Sequence, residues 1–190
     1  MDQRKFIDFL KIVEKLKCNT RHSWTTSGRH ESVAEHSWRL ALMAMLCADE
    51  YISLDMDKVI KMCLIHDFGE AITGDIPSFF KTDSHEEKED DAIEKVISSL
   101  PKDKHDKMKA LFDEMKLMET DESKLVKALD NMEAVISHNE ADISTWIPLE
   151  YEENLRYGQE TASFSEWIKE LREILKQDSL KKISESKKDE

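Results

Sequence analysis

Four glycines and three prolines in 190 residues leave too little turn chemistry for a chain of many short strands, which needs such residues at most of its corners. Apolar residues instead recur three and four apart. In MDQRKFIDFLKIVEKLK, for example, Phe6, Phe9, Leu10, Val13 and Leu16 fall on one helical face. Charged residues make up 36% of the chain and apolar ones 39%, a mixture that suits amphipathic helices with solvated outer faces. The expectation is an all-α fold of about six to eight helices, and the length is enough for one domain with a full core.

Helix signals can be placed along the chain. The spacing predicts a first helix over about 3–17 and a loop over 18–31 holding Gly28 and an exposed Trp24. Ser32 followed by Glu35 is a capping box opening a helix to about Tyr51. A third helix is expected over 56–68, ended by Gly69, and Gly74 with Pro77 marks a turn. Ser84 with Glu87 reads as a second capping box, for a helix stopped by Pro101. Helices follow over 104–118 and 121–139, and 146–158 is ambiguous. Ser163 with Glu166 is expected to cap a last helix to Gln177. The domain is accordingly read as 1–177, with 178–190 a polar, disordered tail.

The balance of 28 Lys and Arg against 41 Asp and Glu gives a net charge of −13. That sign argues against a nucleic-acid polymer or an anionic membrane as partner. The longest apolar run, Leu40 to Ala48, is too short to span a bilayer. Its Met-rich part, Leu40–Leu46, is expected to be core, with an interface as the alternative. Cys18, Cys47 and Cys63 form no CxxC pair, and an odd count suggests no disulfide framework. They read as small core residues of a cytoplasmic protein.

The informative positions are ionisable groups where the helical pattern calls for apolar ones. Val33, His36 and Leu40 share one stripe; Ile60, Leu64 and Asp67 share another, ending beside His66; Val126, Asp130 and Ala134 share a third. A buried carboxylate is costly unless it is paired, hydrogen-bonded or bound to a metal. Two imidazoles and two carboxylates on inward faces form a set able to share one cation. Each has a plainer reading when taken alone: a hydrogen-bonded core histidine, or an aspartate paired with a nearby lysine.

The order His36, His66–Asp67, Asp130 resembles the H…HD…D signature of the HD-domain metal-dependent phosphohydrolases. The extended context is more specific. Glu31-Ser-Val-Ala-Glu-His36-Ser, Ile65-His-Asp-Phe-Gly-Glu70 and Thr73-Gly-Asp75-Ile-Pro77 are similar to the branch containing the bacterial 5′-deoxynucleotidases and their eukaryotic relatives. Over roughly residues 5–160, the resemblance implies a helical HD-type bundle. It also implies one divalent cation held by His36, His66, Asp67 and Asp130. Two imidazole nitrogens and two carboxylate oxygens suit Co²⁺, Mn²⁺, Zn²⁺ or Fe²⁺, with Mg²⁺ also admitted. In the family's terms Arg21 contacts the phosphate, Glu70 serves the catalytic step alongside Asp67, and Asp75 lies near the sugar. The bacterial enzymes carry Trp directly after the arginine, where this chain has His22. Trp24 instead resembles the Arg-x-x-Trp of other branches and stands as a candidate substrate contact.

The resemblance implies release of phosphate from (deoxy)nucleoside 5′-monophosphates by attack of metal-activated water. The alternatives are a phosphohydrolase on another nucleotide or small phosphoester, and a non-catalytic metal-binding signalling module. A plain helical interaction protein would have no reason to turn these acids inward. No GxxxxGK[ST] loop is present, which argues against a P-loop kinase or ATPase. Some HD proteins hold two metals through extra histidines after the HD pair. His85 and His105 occupy charged, solvent-facing segments, so a mononuclear site is expected. Relatives are often dimers, which makes a homodimer an expectation from the resemblance.

Overall fold

A computed structural model describes residues 1–77 and 80–187. Helix α1 (Gln3–Val13) starts where the Asp2 carboxylate accepts from the Lys5 N–H, and a 3₁₀ turn (Glu14–Lys17) follows it. Strands β1 (Thr20–Trp24) and β2 (His30–Ser32) form an antiparallel hairpin that leads directly into α2 (Val33–Leu46). α2 opens on the expected capping box. Ser32 Oγ accepts from the Glu35 N–H, and the Glu35 carboxylate accepts from the Ser32 N–H at 2.9 Å. α3 (Met56–Ile65) is capped by Asp55, and the single turn α4 (Glu70–Thr73) follows. The remaining helices are α5 (Asp83–Ile97), α6 (Lys102–Leu117), α7 (Asp121–Glu140), α8 (Glu150–Arg156) and α9 (Glu166–Ser186). This is the expected all-α architecture, with one small hairpin attached.

Two apolar clusters organise the bundle. The larger lies where α2, α3, α7 and α9 meet and includes Leu40, Ala44, Val59, Met62, Leu129, Met132, Val135 and Ile168. The smaller, under α1, α5 and α6, includes Phe9, Leu16, Ile65, Val96, Ile97 and Phe112. α7 is the central strut because both sides of it are covered. Its buried Leu125, Val126, Ala128, Leu129, Met132 and Val135 cover about half the circumference, and the buried polar Ser123, Asn131, Ser137 and His138 occupy the rest. Gly158, at φ +75°, lets the chain pass over α7, since a Cβ there would lie 2.9 Å from Asn131 Cβ. Among the described residues no helix is long and apolar enough to cross a membrane.

Several expectations need correcting. The segment 18–31 contains the hairpin, and Trp24 is partly buried within it. Cys18 is exposed at the end of the 3₁₀ turn, whereas Cys47 and Cys63 are buried. The Leu40–Ala48 run is divided, with Leu40, Ala41, Ala44 and Cys47 in the core and Met45 and Leu46 exposed. The cap of α5 is Thr82 rather than Ser84, and the Thr82 N–H donates to His85 Nδ1. α9 begins after Ser165, not Ser163. It continues to Ser186, so the stretch expected to be a disordered tail is helical over 178–186; residues 188–190 lie outside the described ones. The cause is a polar anchor that composition conceals. Ser179 is buried and donates to Asn139 Oδ1 at 2.7 Å, and Lys182 donates to the Asn139 carbonyl.

Candidate active site

His36 lies in the first turn of α2, whose start the Ser32–Glu35 box fixes. The His66 N–H still bonds the Met62 carbonyl. The chain then tightens, with Phe68 N–H to the Ile65 carbonyl and Glu70 N–H to the Asp67 carbonyl, which brings Asp67 round beside His66. Asp130 comes from the middle of α7. Four atoms from these three elements converge. His36 Nε2 is 3.2 Å from His66 Nε2, 3.2 Å from Asp130 Oδ1 and 3.8 Å from Asp67 Oδ2. His66 Nε2 is 3.1 Å from Asp67 Oδ2 and 3.8 Å from Asp130 Oδ1.

These separations fit a cation. Donors about 2.1 Å from a common ion stand about 3.0 Å apart in octahedral geometry and about 3.4 Å apart in tetrahedral geometry. The outer ring prepares the donors. His36 Nδ1 is 2.5 Å from Glu133 Oε2, and His66 Nδ1 donates to the Cys63 carbonyl at 2.9 Å. Each imidazole therefore turns its Nε2 inward, the arrangement usual for a histidine ligand. Asp130 divides its oxygens, Oδ1 facing the centre and Oδ2 accepting from Lys127 Nζ at 2.9 Å.

The electrostatics reflect this concentration of charge. Glu133 is fully buried and also accepts from Arg39 Nε at 2.7 Å and from Ser137. Burial opposes its ionisation, but the bond to His36 and the charges of His36, Arg21 and Arg39 bring its pKa down to about 2. Burial and Arg21 press on His36, yet its bonds to Asp130 and Glu133 raise it to about 9. Asp130 is held well below the usual carboxylate range against its own burial, chiefly by Lys127 and the His36 bond. Burial also works against Asp67, which His66 nevertheless keeps low. In this arrangement the His36 proton and the charges of Lys127 and Arg21 balance the carboxylates, a task in which a divalent cation would replace the proton.

The centre opens into a cavity whose wall includes Arg21, Asp67, Glu70, Asp75, Lys127 and Asp130. Arg21 is nearly buried, 3.9 Å from Glu31 and 3.8 Å from Glu133, and its Nε finds no hydrogen-bond acceptor. Burial disfavours its charge, but Glu133, Asp67, Asp130 and Glu31 hold it cationic. Glu70 is 3% exposed, with Oε2 buried and unpartnered. Burial first, then Asp67 and Asp75, push its pKa up to about 10. Asp75 is raised too, mainly by burial.

A family model described as HD domain matches residues 13–172. The chain belongs to the HD-domain family. It is similar to the 5′-deoxynucleotidase HDDC2 of Homo sapiens, 32% identical over 142 residues that make up 72% of this chain and 68% of that protein. The HDDC2 of Xenopus laevis is 34% identical over 155 residues, 79% of this chain and 71% of that one. Among solved structures, a predicted metal-dependent phosphohydrolase from Magnetospirillum magnetotacticum MS-1 superposes with a TM-score of 0.79 at 29% identity, covering 94% of this chain and 93% of its own. A divalent metal ion is thus the cofactor class of the family, and the His/Asp cluster has the donors for one.

The HD domain gathers seven of the eight residues singled out from sequence around one cavity and its floor, and leaves Trp24 out. Trp24 is not in the cavity wall; its ring packs on His30, with centroids 4.0 Å apart. The five residues of β1, Thr20 to Trp24, span the register of only three on β2. That irregularity lets the consecutive Arg21 and His22 both face the cavity, which a regular strand forbids. His85 and His105 are engaged elsewhere, His85 with Thr82 and His105 with Glu94 and Asp106. Glu133 and Lys127 escaped the sequence reading. Both lie three residues from Asp130, a spacing that could have flagged them.

Proposed function

We propose that this chain is a metal-dependent 5′-nucleotidase of the HD type that releases phosphate from (deoxy)nucleoside 5′-monophosphates. The observation that carries the reading is one cavity onto which a four-donor cation cradle opens through Asp67 and Asp130, with a buried guanidinium that has an unused N–H and a protonated carboxyl group in its wall. His36, His66, Asp67 and Asp130 would hold one divalent ion, with Co²⁺, Mn²⁺, Zn²⁺ and Fe²⁺ the best chemical match. Bound there, such an ion supplies Lewis acidity to the phosphoryl group and to water.

The protein's own groups account for the remaining requirements. Arg21 presents a planar fork to the phosphate, and its unpaired Nε–H gives an anion a donor that no protein group occupies. Lys127 adds a second cationic charge to the same wall. Negative charge accumulating on the phosphoryl oxygens is thereby met by fixed positive groups. Glu70 carries its proton at neutral pH. As the P–O bond to the 5′-oxygen breaks, that oxygen takes the proton and leaves as a hydroxyl, while water supplies the new oxygen on phosphorus. Asp75, on the same wall, is the candidate contact to the sugar.

The test is phosphate release from a panel of deoxy- and ribonucleoside 5′-monophosphates with Co²⁺ or Mn²⁺, repeated with chelator. Chelator-sensitive turnover favouring the deoxy forms is expected. Turnover blind to the 2′-hydroxyl would withdraw the sugar assignment alone, and none with any metal would overturn the reading.

A further inference from the structure

The cavity wall carries a second group of metal-ligating side chains that the proposed reaction does not use. His22 of β1, His138 of α7 and Glu150 of α8 bring one ligand atom each to within 4.8 Å of one another. Glu150 Oε1 is 2.9 Å from His22 Nε2 and 3.4 Å from His138 Nε2, and the two rings meet edge to face with centroids 5.0 Å apart. Donors around a tetrahedral ion at about 2.1 Å would be about 3.4 Å apart.

The orienting bonds are already made. His138 Nδ1 is 2.8 Å from Asn154 Oδ1, which sets Nδ1 as the protonated nitrogen and leaves Nε2 a bare lone pair. The Ile147 N–H donates to Glu150 Oε2 at 2.8 Å, leaving Oε1 to face the histidines. His138 Nε2 is buried and has no hydrogen-bond partner. That lone pair lies 3.4 Å from the same Glu150 Oε1 that His22 Nε2 approaches at 2.9 Å, and a buried nitrogen without a partner costs free energy that a shared cation would relieve. The buried carboxylate Glu133 differs, since Arg39 donates directly to it.

We propose that His22, His138 and Glu150 form a second cation site, a His₂Glu set for Zn²⁺ or a similar borderline divalent ion. Its three protein ligands leave a fourth position open. The site is separate from the first centre: His138 follows Asp130 by eight residues, about 12 Å along α7. Burial disfavours a charged His138, and a metal requires its histidine ligands neutral. An ion there would tie the hairpin, the central helix and α8 together along the cavity wall.

The test is metal content of the full-length protein after saturation with Zn²⁺ and gel filtration, together with the visible spectrum of the Co²⁺ form. His138→Gln and His22→Ala are each expected to lose one bound equivalent relative to wild type, and to lose the part of the Zn²⁺-induced rise in Tm that belongs to this site. His22 is partly exposed, so its variant reports even if the His138 variant folds poorly. Asp67→Ala should lose a different equivalent, and combination with His22→Ala should lose both. Wild-type stoichiometry and an unchanged Co²⁺ spectrum in both histidine variants would overturn the inference. If Asp67→Ala then still loses its ion, the first centre survives that failure.

Discussion

A carboxyl group that keeps its proton at neutral pH is a proton donor, but it also costs stability. Glu70 ordinarily would titrate near 4.5 and is pushed up to about 10 by burial and by Asp67 and Asp75. Between those values the folded chain holds a proton that the unfolded chain has released. Stability contributed below pH 4.5 is therefore lost progressively as pH rises toward 10. Glu70→Gln removes that dependence. Without metal, the variant should melt above wild type at pH 8 and coincide with it near pH 4, measured by scanning calorimetry. The same change should lower kcat by about 10²–10⁴-fold while metal content stays constant, which separates an enzyme from a metal-binding module. Glu133 acts one layer further out, through His36 Nδ1. Glu133→Gln should weaken cation binding at the first centre by about 10–100-fold in a Co²⁺ titration. Unchanged affinity would leave it a purely structural residue.

Helix α9 shows where sequence patterning loses its grip. An apolar stripe ends near Leu175, and beyond it the chain is nearly all polar, yet Ser179 is as buried as any core residue. Its hydroxyl is placed between Asn139 Oδ1 at 2.7 Å and the Leu175 carbonyl at 3.0 Å, and Asn139 itself donates to that carbonyl at 3.0 Å. Deleting 178–190 should therefore lower Tm measurably, whereas loss of a disordered tail would leave it unchanged. The proposed metal ligands are legible for the complementary reason. His36, Asp67 and Asp130 interrupt apolar stripes, and an ionisable group in a buried row announces itself. Glu133 did not, because in α7 it reads as one more charge beside Asp130 and only the fold puts it at 0% exposure. The hairpin was hidden because its three-residue return strand is too short to show alternation. Trp24 is a candidate substrate contact on its Arg-x-x-Trp pattern alone; its ring packs on His30, while His22 lines the cavity.

Across the whole molecule, a chain of net charge −13 has to admit an anionic substrate. Near the cavity, Arg21, Lys127 and a bound divalent ion attract a phosphate, but their influence is local. At about 10 mM salt the Debye length is about 30 Å, so acids on every face contribute to the field an approaching nucleotide meets. At about 150 mM it is about 8 Å, and only the cavity's own charges remain in view. Raising salt over that range should then remove more repulsion than attraction. KM for a nucleoside 5′-monophosphate is expected to fall, and kcat/KM to rise, by a few fold, opposite to an enzyme that steers its substrate electrostatically. Neutralising the exposed Asp57, Glu87 and Asp103 to their amides should flatten the dependence without changing kcat. A kcat/KM that instead drops steeply with salt would mean that field lines from the cavity outreach the acidic surface, and that the net charge has no part in substrate capture.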